Sequence, residues 1–498
     1  MPRYALGFDV GSSSIKASLV DLDRGQRVAT ATAPSTEMPI SAPQPDWAEQ
    51  DPRMWWRYMV ESASLLGQKW NLNEVASVGI SYQMHGLVAV GADGEPLRDA
   101  IIWCDSRAVP YGERAYRDLG GDAAVLPRLL NSPGNFTAAK LAWIKDKEPQ
   151  LYRQIHKIML PGDWLAYRMT GEFSTTMSGL SEGIFWDFSR DEPAGFLLDY
   201  FGFDPALLPS AGESFGEQGR VTPSASAELG IPAGTPVAYR AGDQPNNALS
   251  LNVLEPGEVA ATAGTSGVVY GIVDRPAWDP ASRVNTFLHV NHRHDRPRLG
   301  VLQILNGTGI LNRWIKQNTL GDSVSYEQMN DLATGAPIGS EGLTFLPFGN
   351  GAERILNNAH LGASMQGLNF NVHTRAHMVR AAQEGIVFAL NFGLEIMRGT
   401  GISVEKVRAG HANMFLSPLF RSAFATVTGA TVELYNTDGS EGAARGGAFG
   451  AGLFGSLAEA FSGLELRETV EPDPALAEQY AQAYRQWEGA LQRSLPRQ

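Results

Sequence analysis

The sequence predicts an α/β protein of two large domains that face each other across a cleft. The chain has 498 residues, which is too long for a single hydrophobic core. Apolar strand patterns alternate with helical patterns along most of it. A hairpin whose turn is built from glycine and hydroxyl residues occurs near the start, and a second one follows 253 positions later (264 − 11 = 253).

Composition limits the functions and the location that we expect. Hydrophobic residues make up 43% of the chain and charged residues 19%, as in globular proteins. The net charge is −13, and no dense run of Lys and Arg exists, so we expect no nucleic-acid partner. The single cysteine, Cys104, favours a reducing compartment. Without a signal-peptide pattern or a membrane-spanning apolar run, we expect a cytoplasmic protein and no membrane partner.

The first hairpin begins with an apolar strand over Tyr4–Phe8 and reaches a carboxylate, Asp9. The turn Gly11, Ser12, Ser13, Ser14 follows, and a second strand returns over Ile15–Asp21. Glycine lets a ligand approach the backbone, and exposed N–H groups and hydroxyls suit a phosphate. An edge hairpin with a polar turn explains the same residues, and the hairpin alone favours this plainer interpretation.

Local signals predict the other elements of the first half. Asp51 caps a helix that has proline at its first position. We expect a loop over 30–50, strands over 75–81, 87–90, 100–103 and 236–241, mostly helix over 111–170 and a connector over 203–236.

The second half repeats the opening pattern. A strand over 258–262 leads into the turn Gly264, Thr265, Ser266, and a strand over 268–273 returns. We expect further a helix over 376–398, a strand over 404–408, a helix capped by Ser417 and an amphipathic helix over 474–495. The predicted domains are 1–245 and 246–470, and the C-terminal helix of 471–498 is expected to pack back on the N-terminal domain.

Asp9 and Asp243 are the candidate chemical pair, because each stands where an apolar strand meets a glycine-bearing turn. Mg²⁺ takes one or two carboxylates together with substrate phosphates, and phosphoryl transfer needs mainly positioning and charge neutralisation. Aspartate also commonly caps turns, and spacing alone does not decide between the two interpretations. The P-loop pattern G-x-x-x-x-G-K-[ST] is absent, which excludes that class of nucleotide site.

Taken together, the motifs resemble those of the FGGY carbohydrate kinases. The segments that carry the resemblance are residues 8–13, 46–52, 83–86, 102–107, 136–141, 242–244 and 264–268, and the loop at Gly410. The Met84-His85-Gly86 triplet is similar to that of the xylulokinase branch. The resemblance implies an actin-like, ribonuclease-H-type fold with an interdomain cleft, and ATP-dependent phosphorylation of a ketopentose, D-xylulose being the expected acceptor.

The resemblance also implies roles for single residues. Asp243 corresponds to the catalytic base, and Asp9 and Asp243 correspond to the carboxylates near Mg²⁺. Met84, His85, Asp243 and Gln244 correspond to sugar contacts. The ATP contacts correspond to Gly11, Ser12, Ser13, Gly264, Thr265, Ser266, Gly410, His411 and Asn413. Where the family usually has Gly-Asp-Asn and Gly-Gly-Gly, this chain has Gly-Asp-Gln and Ala-Gly-His.

Two alternatives remain open from the sequence. One is a kinase of the same family for another sugar or polyol, such as ribulose, fuculose or gluconate. The other is a non-catalytic sensor of a sugar or nucleotide on the same fold, although a sensor has no need of a base. We expect the domains to close on the sugar, because water in the cleft would allow wasteful ATP hydrolysis. A homodimer is compatible with the sequence.

Overall fold

The computed structural model describes residues 3–496. The strands are β1 (Tyr4–Val10), β2 (Ile15–Asp21), β3 (Gln26–Ala33), β4 (Glu49–Gln50), β5 (Val75–Tyr82), β6 (Val88–Val90), β7 (Ala100–Ile101), β8 (Lys157–Met159), β9 (Ser174–Thr176), β10 (Trp186–Asp187), β11 (Glu192–Pro193), β12 (Ser210–Gly212), β13 (Val237–Gly242), β14 (Val259–Ala263), β15 (Gly267–Val273), β16 (Asn285–Leu288), β17 (Leu299–Leu305), β18 (Thr344–Phe348), β19 (Gly362–Gln366), β20 (Lys406–Gly410), β21 (Thr431–Tyr435) and β22 (Leu466–Val470).

The helices are α1 (Pro52–Gly67), α2 (Val109–Asp118), α3 (Gly121–Ala124), α4 (Leu126–Leu129), α5 (Thr137–Lys147), α6 (Pro149–Tyr152), α7 (Pro161–Thr170), α8 (Met177–Glu182), α9 (Gly195–Phe201), α10 (Pro223–Leu229), α11 (Asp243–Ser250), α12 (Gly309–Ile315), α13 (Tyr326–Ala333), α14 (Arg375–Gly399), α15 (Pro418–Thr428), α16 (Gly439–Gly450), α17 (Leu457–Ala460) and α18 (Ala477–Ser494). In residues 3–496, none of them combines the length and the apolar character that crossing a bilayer would require.

Two mixed sheets organise the two halves of the chain. The first has the strand order β13-β5-β1-β2-β3, and the second has the order β16-β17-β15-β14-β20-β21-β22. Each contains one of the predicted hairpins, β1–β2 and β14–β15, and both hairpins are antiparallel. The α/β class with two sheet-centred halves is the architecture that the sequence predicts.

Strand β1 is buried on both faces, and its side chains alternate between two different surroundings. Leu6, Phe8 and Val10 belong to the apolar core that also contains residues of α1 and α7. Gly7 and Asp9 face the opposite side, where α16 lies. Asp9 therefore points toward α16 from near the end of an otherwise enclosed strand. This position is unusual for a polar side chain.

Helix α16 packs on the first sheet at backbone contact distance. A Cβ atom on Gly7 would overlap the carbonyl oxygen of Ser440, and one on Gly79 would overlap that of Ala443. The Oγ atoms of Ser18 and Ser440 are 2.8 Å apart. The run of small residues in α16 is thus explained by close packing on β1 and β5, strands that lie far from it in sequence.

Several local predictions are confirmed. The Asp51 side chain accepts the N–H of Arg53 at the start of α1, and Ser417 accepts that of Phe420 at the start of α15. The expectation of a loop over 30–50 is wrong for its first residues, because β3 continues to Ala33 and pairs with β2.

The expected docking of the C-terminal helix on the N-terminal domain is also wrong. Helix α18 packs against α14, α15 and β18 of the second half. The indole N–H of Trp487 donates to the Phe345 carbonyl at 3.0 Å, and Arg380 donates to the Tyr480 hydroxyl at 3.3 Å. The stripe of large residues on α18 therefore completes the C-terminal core.

The packing of α16 gives a stability prediction. We expect Gly79→Ala to destabilise the protein by about 3 kcal/mol, since the added methyl group has to displace the α16 backbone. The midpoint of urea denaturation measures this. The matched control is Gly399→Ala at the end of α14, where a Cβ meets nothing within 4 Å, and we expect it to keep the wild-type midpoint or raise it. An unchanged midpoint for Gly79→Ala would contradict the close contact.

Candidate active site

The first sheet brings the two candidate carboxylates to one edge. Strands β13, β5 and β1 are neighbours and run parallel. Asp9 is paired in register with Ser81, and Gly242 is paired with Tyr82. Asp243 follows Gly242 directly as the first residue of α11. Both carboxylates therefore lie at the carboxyl ends of parallel strands, where open α/β sheets bind their ligands.

Asp9 is held by its neighbours on both sides. The Ser81 hydroxyl donates to Asp9 Oδ1 at 2.7 Å. A Cβ on Gly439, the first residue of α16, would lie 2.5 Å from Asp9 Oδ2. Burial raises the pKa of Asp9, and the charge of Asp438 adds to this, while the Ser81 hydrogen bond and Lys16 act in the opposite direction.

The pKa of Asp243 is raised to about 7. Burial is the main cause and the charge of Asp9 adds to it, while hydrogen bonds from Gln244 oppose the shift. A carboxylate whose pKa lies near the working pH accepts a proton more effectively than an ordinary aspartate. The donor set also suits a divalent cation, because two desolvated carboxylates that repel each other are stabilised by a shared positive charge.

Gly242 is enclosed by two side chains of the first half. A Cβ at this position would lie 3.1 Å from the sulfur of Met84 and would overlap the Glu182 carboxylate. Glu182 is buried, and its burial, together with the charge of Asp243, raises its pKa well above the usual range. Met84 and Glu182 therefore fix the backbone from which Asp243 projects.

His85 occupies a strained turn with a positive φ of 62°. Its Nδ1 lies 2.9 Å from the backbone oxygen of Glu182, so Nδ1 carries the proton and donates it. Lys140 Nζ donates to the backbone oxygen of His85 at 2.8 Å. Burial and the charge of Lys140 lower the pKa of His85 to about 3. The ring is therefore neutral, and its Nε2 atom is a hydrogen-bond acceptor.

The first turn is tied to surrounding loops. The Ser12 carbonyl accepts the side-chain amide of Gln50 at 2.7 Å, and the Ser12 hydroxyl accepts the indole N–H of Trp103 at 3.3 Å. The Ser13 carbonyl accepts the Met38 N–H at 2.8 Å. Gly11 and the two serines are thus held at the same sheet edge as Asp9.

The second turn borders a pocket of about 370 Å³ in the C-terminal half. The Gly264 carbonyl accepts the N–H of Gly309, and that of Thr265 accepts the N–H of Ile310, so the start of α12 braces the turn. The lining residues are Ala263, Gly264, Thr265, Gly309, Ile310, Asn312, Arg313, Tyr326, Asn330, Asn413, Met414, Leu416 and Ser417.

Only part of the predicted loop at Gly410 lines this pocket. Asn413 has a positive φ of 53° and lines it together with Gly264. Gly410 ends β20, and the exposed His411 donates its N–H to the Tyr435 carbonyl at 2.8 Å. Ser266 adjoins the lining residues at the end of the turn.

Comparison with known proteins agrees with this geometry. The N-terminal domain model of the FGGY family of carbohydrate kinases matches residues 4–250, and its C-terminal domain model matches 259–453. The chain belongs to the FGGY family of carbohydrate kinases. The family and the enzyme class predicted from the sequence are therefore confirmed.

Individual relatives extend the comparison. The chain is 33% identical over 396 residues to a xylulose kinase of Streptomyces rubiginosus, covering 79% of this chain and 76% of the relative. It is 29% identical over 482 residues to a xylulose kinase of Escherichia coli K12, covering 96% and 95%. The crystal structure of a gluconate kinase from Lactobacillus acidophilus shares the fold, with a TM-score of 0.88, 24% identity and 98% of each chain covered.

Three residues of the site were missed by sequence reasoning. Ser81 bonds Asp9, Glu182 packs on Gly242, and Lys140 supports the turn at His85. Lys140 offers a signal in hindsight, because it is a charged residue within the apolar helical segment α5, which is buried from Thr137 to Ile144. Ser81 and Glu182 offer none, since their roles arise from contacts distant in sequence.

The environment of His85 predicts its protonation state. We expect the ring to remain neutral with its proton on Nδ1 down to pH 5, because the pKa of about 3 lies well below that pH. Nitrogen-15 NMR of the imidazole measures this, and the variant His85→Asn assigns the signal. A ring that becomes cationic between pH 6 and pH 5 would contradict the tautomer and the acceptor role of Nε2.

Proposed function

We propose that the chain transfers the γ-phosphate of ATP to O5 of D-xylulose, giving D-xylulose 5-phosphate, with Asp243 as the general base. The observation that carries this proposal is Asp243 itself. It starts a helix at the sheet edge, is close enough to Asp9 for that charge to act on it, and has a pKa of about 7. A carboxylate in this state can take the proton of an attacking hydroxyl as the new bond to phosphorus forms.

ATP and Mg²⁺ are assigned to the region between the two turns. The pocket beside Gly264 and Thr265 is large enough for a nucleoside, and we assign Ser266, Gly410, His411 and Asn413 to its border. Gly11, Ser12 and Ser13 face the phosphates from the first half. Asp9 and Asp243 are the proposed Mg²⁺ ligands, and the cation would neutralise phosphate charge when bound.

The sugar is assigned to the side of Asp243 that carries Met84, His85 and Gln244. The neutral His85 supplies an acceptor for a sugar hydroxyl through Nε2. Gln244 lies next to the base and supplies both donor and acceptor groups. The choice of D-xylulose rests on the xylulose kinases among the curated relatives. The gluconate kinase of the same fold shows that the architecture alone does not decide the acceptor.

A sugar panel tests the acceptor. We expect D-xylulose to give the highest kcat/KM in a coupled assay of ADP release, compared with D-ribulose, L-fuculose, D-gluconate and glycerol. A better acceptor elsewhere in the panel would replace D-xylulose and leave the kinase assignment intact. No sugar-stimulated ADP release with any member would favour a non-catalytic sensor.

A substitution tests the base. We expect Asp243→Ala to lower kcat by about 10²–10⁴-fold, because the hydroxyl loses its proton acceptor. Calorimetry should show sugar binding within a few-fold of the wild type. The exposed Asp23 in the β2–β3 turn gives the matched control Asp23→Ala, for which we expect wild-type turnover. Normal turnover of Asp243→Ala would remove Asp243 from the base role.

A further inference from the structure

Arg354 stands on a loop of the C-terminal half. It opens a short helical turn over Arg354–Leu356 whose next two residues, Ile355 and Leu356, are buried. The preceding Glu353 is fully buried, and its carboxyl oxygens accept the Asn306 N–H at 3.1 and 3.2 Å. The loop backbone that carries Arg354 is thereby fastened to the end of β17.

The guanidinium of Arg354 reaches the other half of the molecule. Its Nη2 atom lies 3.8 Å from the position that a Cβ would take on Gly134. Its Cζ atom is 5.8 Å from the ring centroid of Phe136. The Phe136 ring in turn contacts the His85 ring edge-on at 4.8 Å. Arg354 therefore reaches, from the C-terminal half, the group of side chains packed around His85, which we call the His85 wall.

The charge of this guanidinium has no counter-charge. In residues 3–496, no carboxylate lies within 4.0 Å of it, and its recorded hydrogen bond goes to the Ser282 carbonyl at 3.2 Å. Burial lowers its pKa to about 10 with no opposing anion. Arg354 is half-buried, and a guanidinium carries five N–H donors, so donors remain available for a ligand beyond the one bonded to Ser282.

The buried arginines in residues 3–496 each pair with a carboxylate. The pairs are Arg107 with Asp105, Arg240 with Asp163, Arg298 with Glu255, Arg380 with Glu384, and Arg445 with Glu441. These pairs satisfy the guanidinium where the role is structural. Arg354 has no such carboxylate partner, and its guanidinium lies beside Phe136, which contacts His85, a position that suits a ligand oxygen as its partner.

We propose that Arg354 is a specificity-determining residue that the C-terminal half supplies to the acceptor site, where it donates hydrogen bonds to carbonyl or hydroxyl oxygens of an open-chain sugar. The inference rests on the proposed sugar kinase reaction and adds a donor to a site whose other residues belong to the N-terminal half. Arg354 donates hydrogen bonds, whereas His85 Nε2 accepts one. The pair therefore favours a sugar that offers both a hydroxyl donor and an acceptor oxygen such as a carbonyl.

Steady-state kinetics of Arg354→Gln and Arg354→Lys test this role. We expect Arg354→Gln to raise the KM for the sugar by about 10–100-fold, as expected for loss of a charged hydrogen bond. We expect Arg354→Lys to recover part of it, since lysine keeps the charge without the planar fork. The KM for ATP and the thermal midpoint should stay at wild-type values. The matched control is Arg485→Ala on the exposed face of α18, which should change neither KM.

The acceptor in this experiment is whichever panel sugar the wild type phosphorylates best, so rejection of D-xylulose leaves the test of Arg354 intact. A sugar KM for Arg354→Gln within twofold of the wild type would overturn the inference. So would an equal rise in the KM for ATP, which would indicate a general structural role.

Deoxy analogues of the acceptor give a second, independent measurement. The analogue that lacks the oxygen contacted by Arg354 should bind the wild type and Arg354→Gln equally well, because the interaction is absent from both. The other analogues should keep the full difference. A difference that is the same for the parent sugar and for every deoxy analogue would show that Arg354 acts without contacting the sugar, and would overturn the inference.

Discussion

The backbone contact between α16 and the first sheet is the constraint on which the site depends. It places the first residue of α16, Gly439, against the carboxylate of Asp9. The Gly439 carbonyl also accepts the side-chain amide of Asn246 at 2.8 Å, and Asn246 belongs to the helix that begins with Asp243. One helix from late in the chain thus fixes both elements that carry the carboxylates. A larger residue in α16 would separate the helix from the sheet and misplace both.

The raised pKa values of Asp9 and Asp243 follow from this enclosure. Both groups are only partly exposed, and the protein around them supplies few donors. Ser81 serves Asp9, and Gln244 serves Asp243. The low number of donors favours binding of a cation or a proton at these carboxylates, and the proposed phosphoryl transfer would use both. Additional hydrogen bonds from arginines or backbone amides would have stabilised the charged carboxylates and lowered their affinity for a proton or a cation.

Local chemistry explains which features could be predicted from the sequence. The hairpins, the caps at Asp51 and Ser417 and the strand end before Asp243 depend on neighbouring residues and are found where expected, whereas β1 continues past Asp9 to Val10. The continuation of β3 to Ala33 and the docking of α18 depend on partners elsewhere. The same holds for Glu182, which packs on Gly242 from a distant helix. Amphipathicity showed that α18 buries one face but carried no information on which core receives it.

Contacts between the two halves determine how the acceptor site is completed. The edge strand β16 of the second sheet bonds to the first half through Asn131, whose amide donates to the Thr286 carbonyl at 2.7 Å and whose oxygen accepts the Thr286 N–H at 3.0 Å. The Leu288 N–H donates to Ser181 Oγ at 3.0 Å. These bonds use backbone groups of β16 on either side of Phe287. The centroid of the Phe287 ring lies 5.4 Å from that of the His85 ring. The wall around His85 is therefore built jointly by both halves. A relative movement of the halves would change this wall and the distance from the pocket beside Gly264 to Asp243 together, so in the proposed reaction sugar binding and phosphate alignment would be coupled.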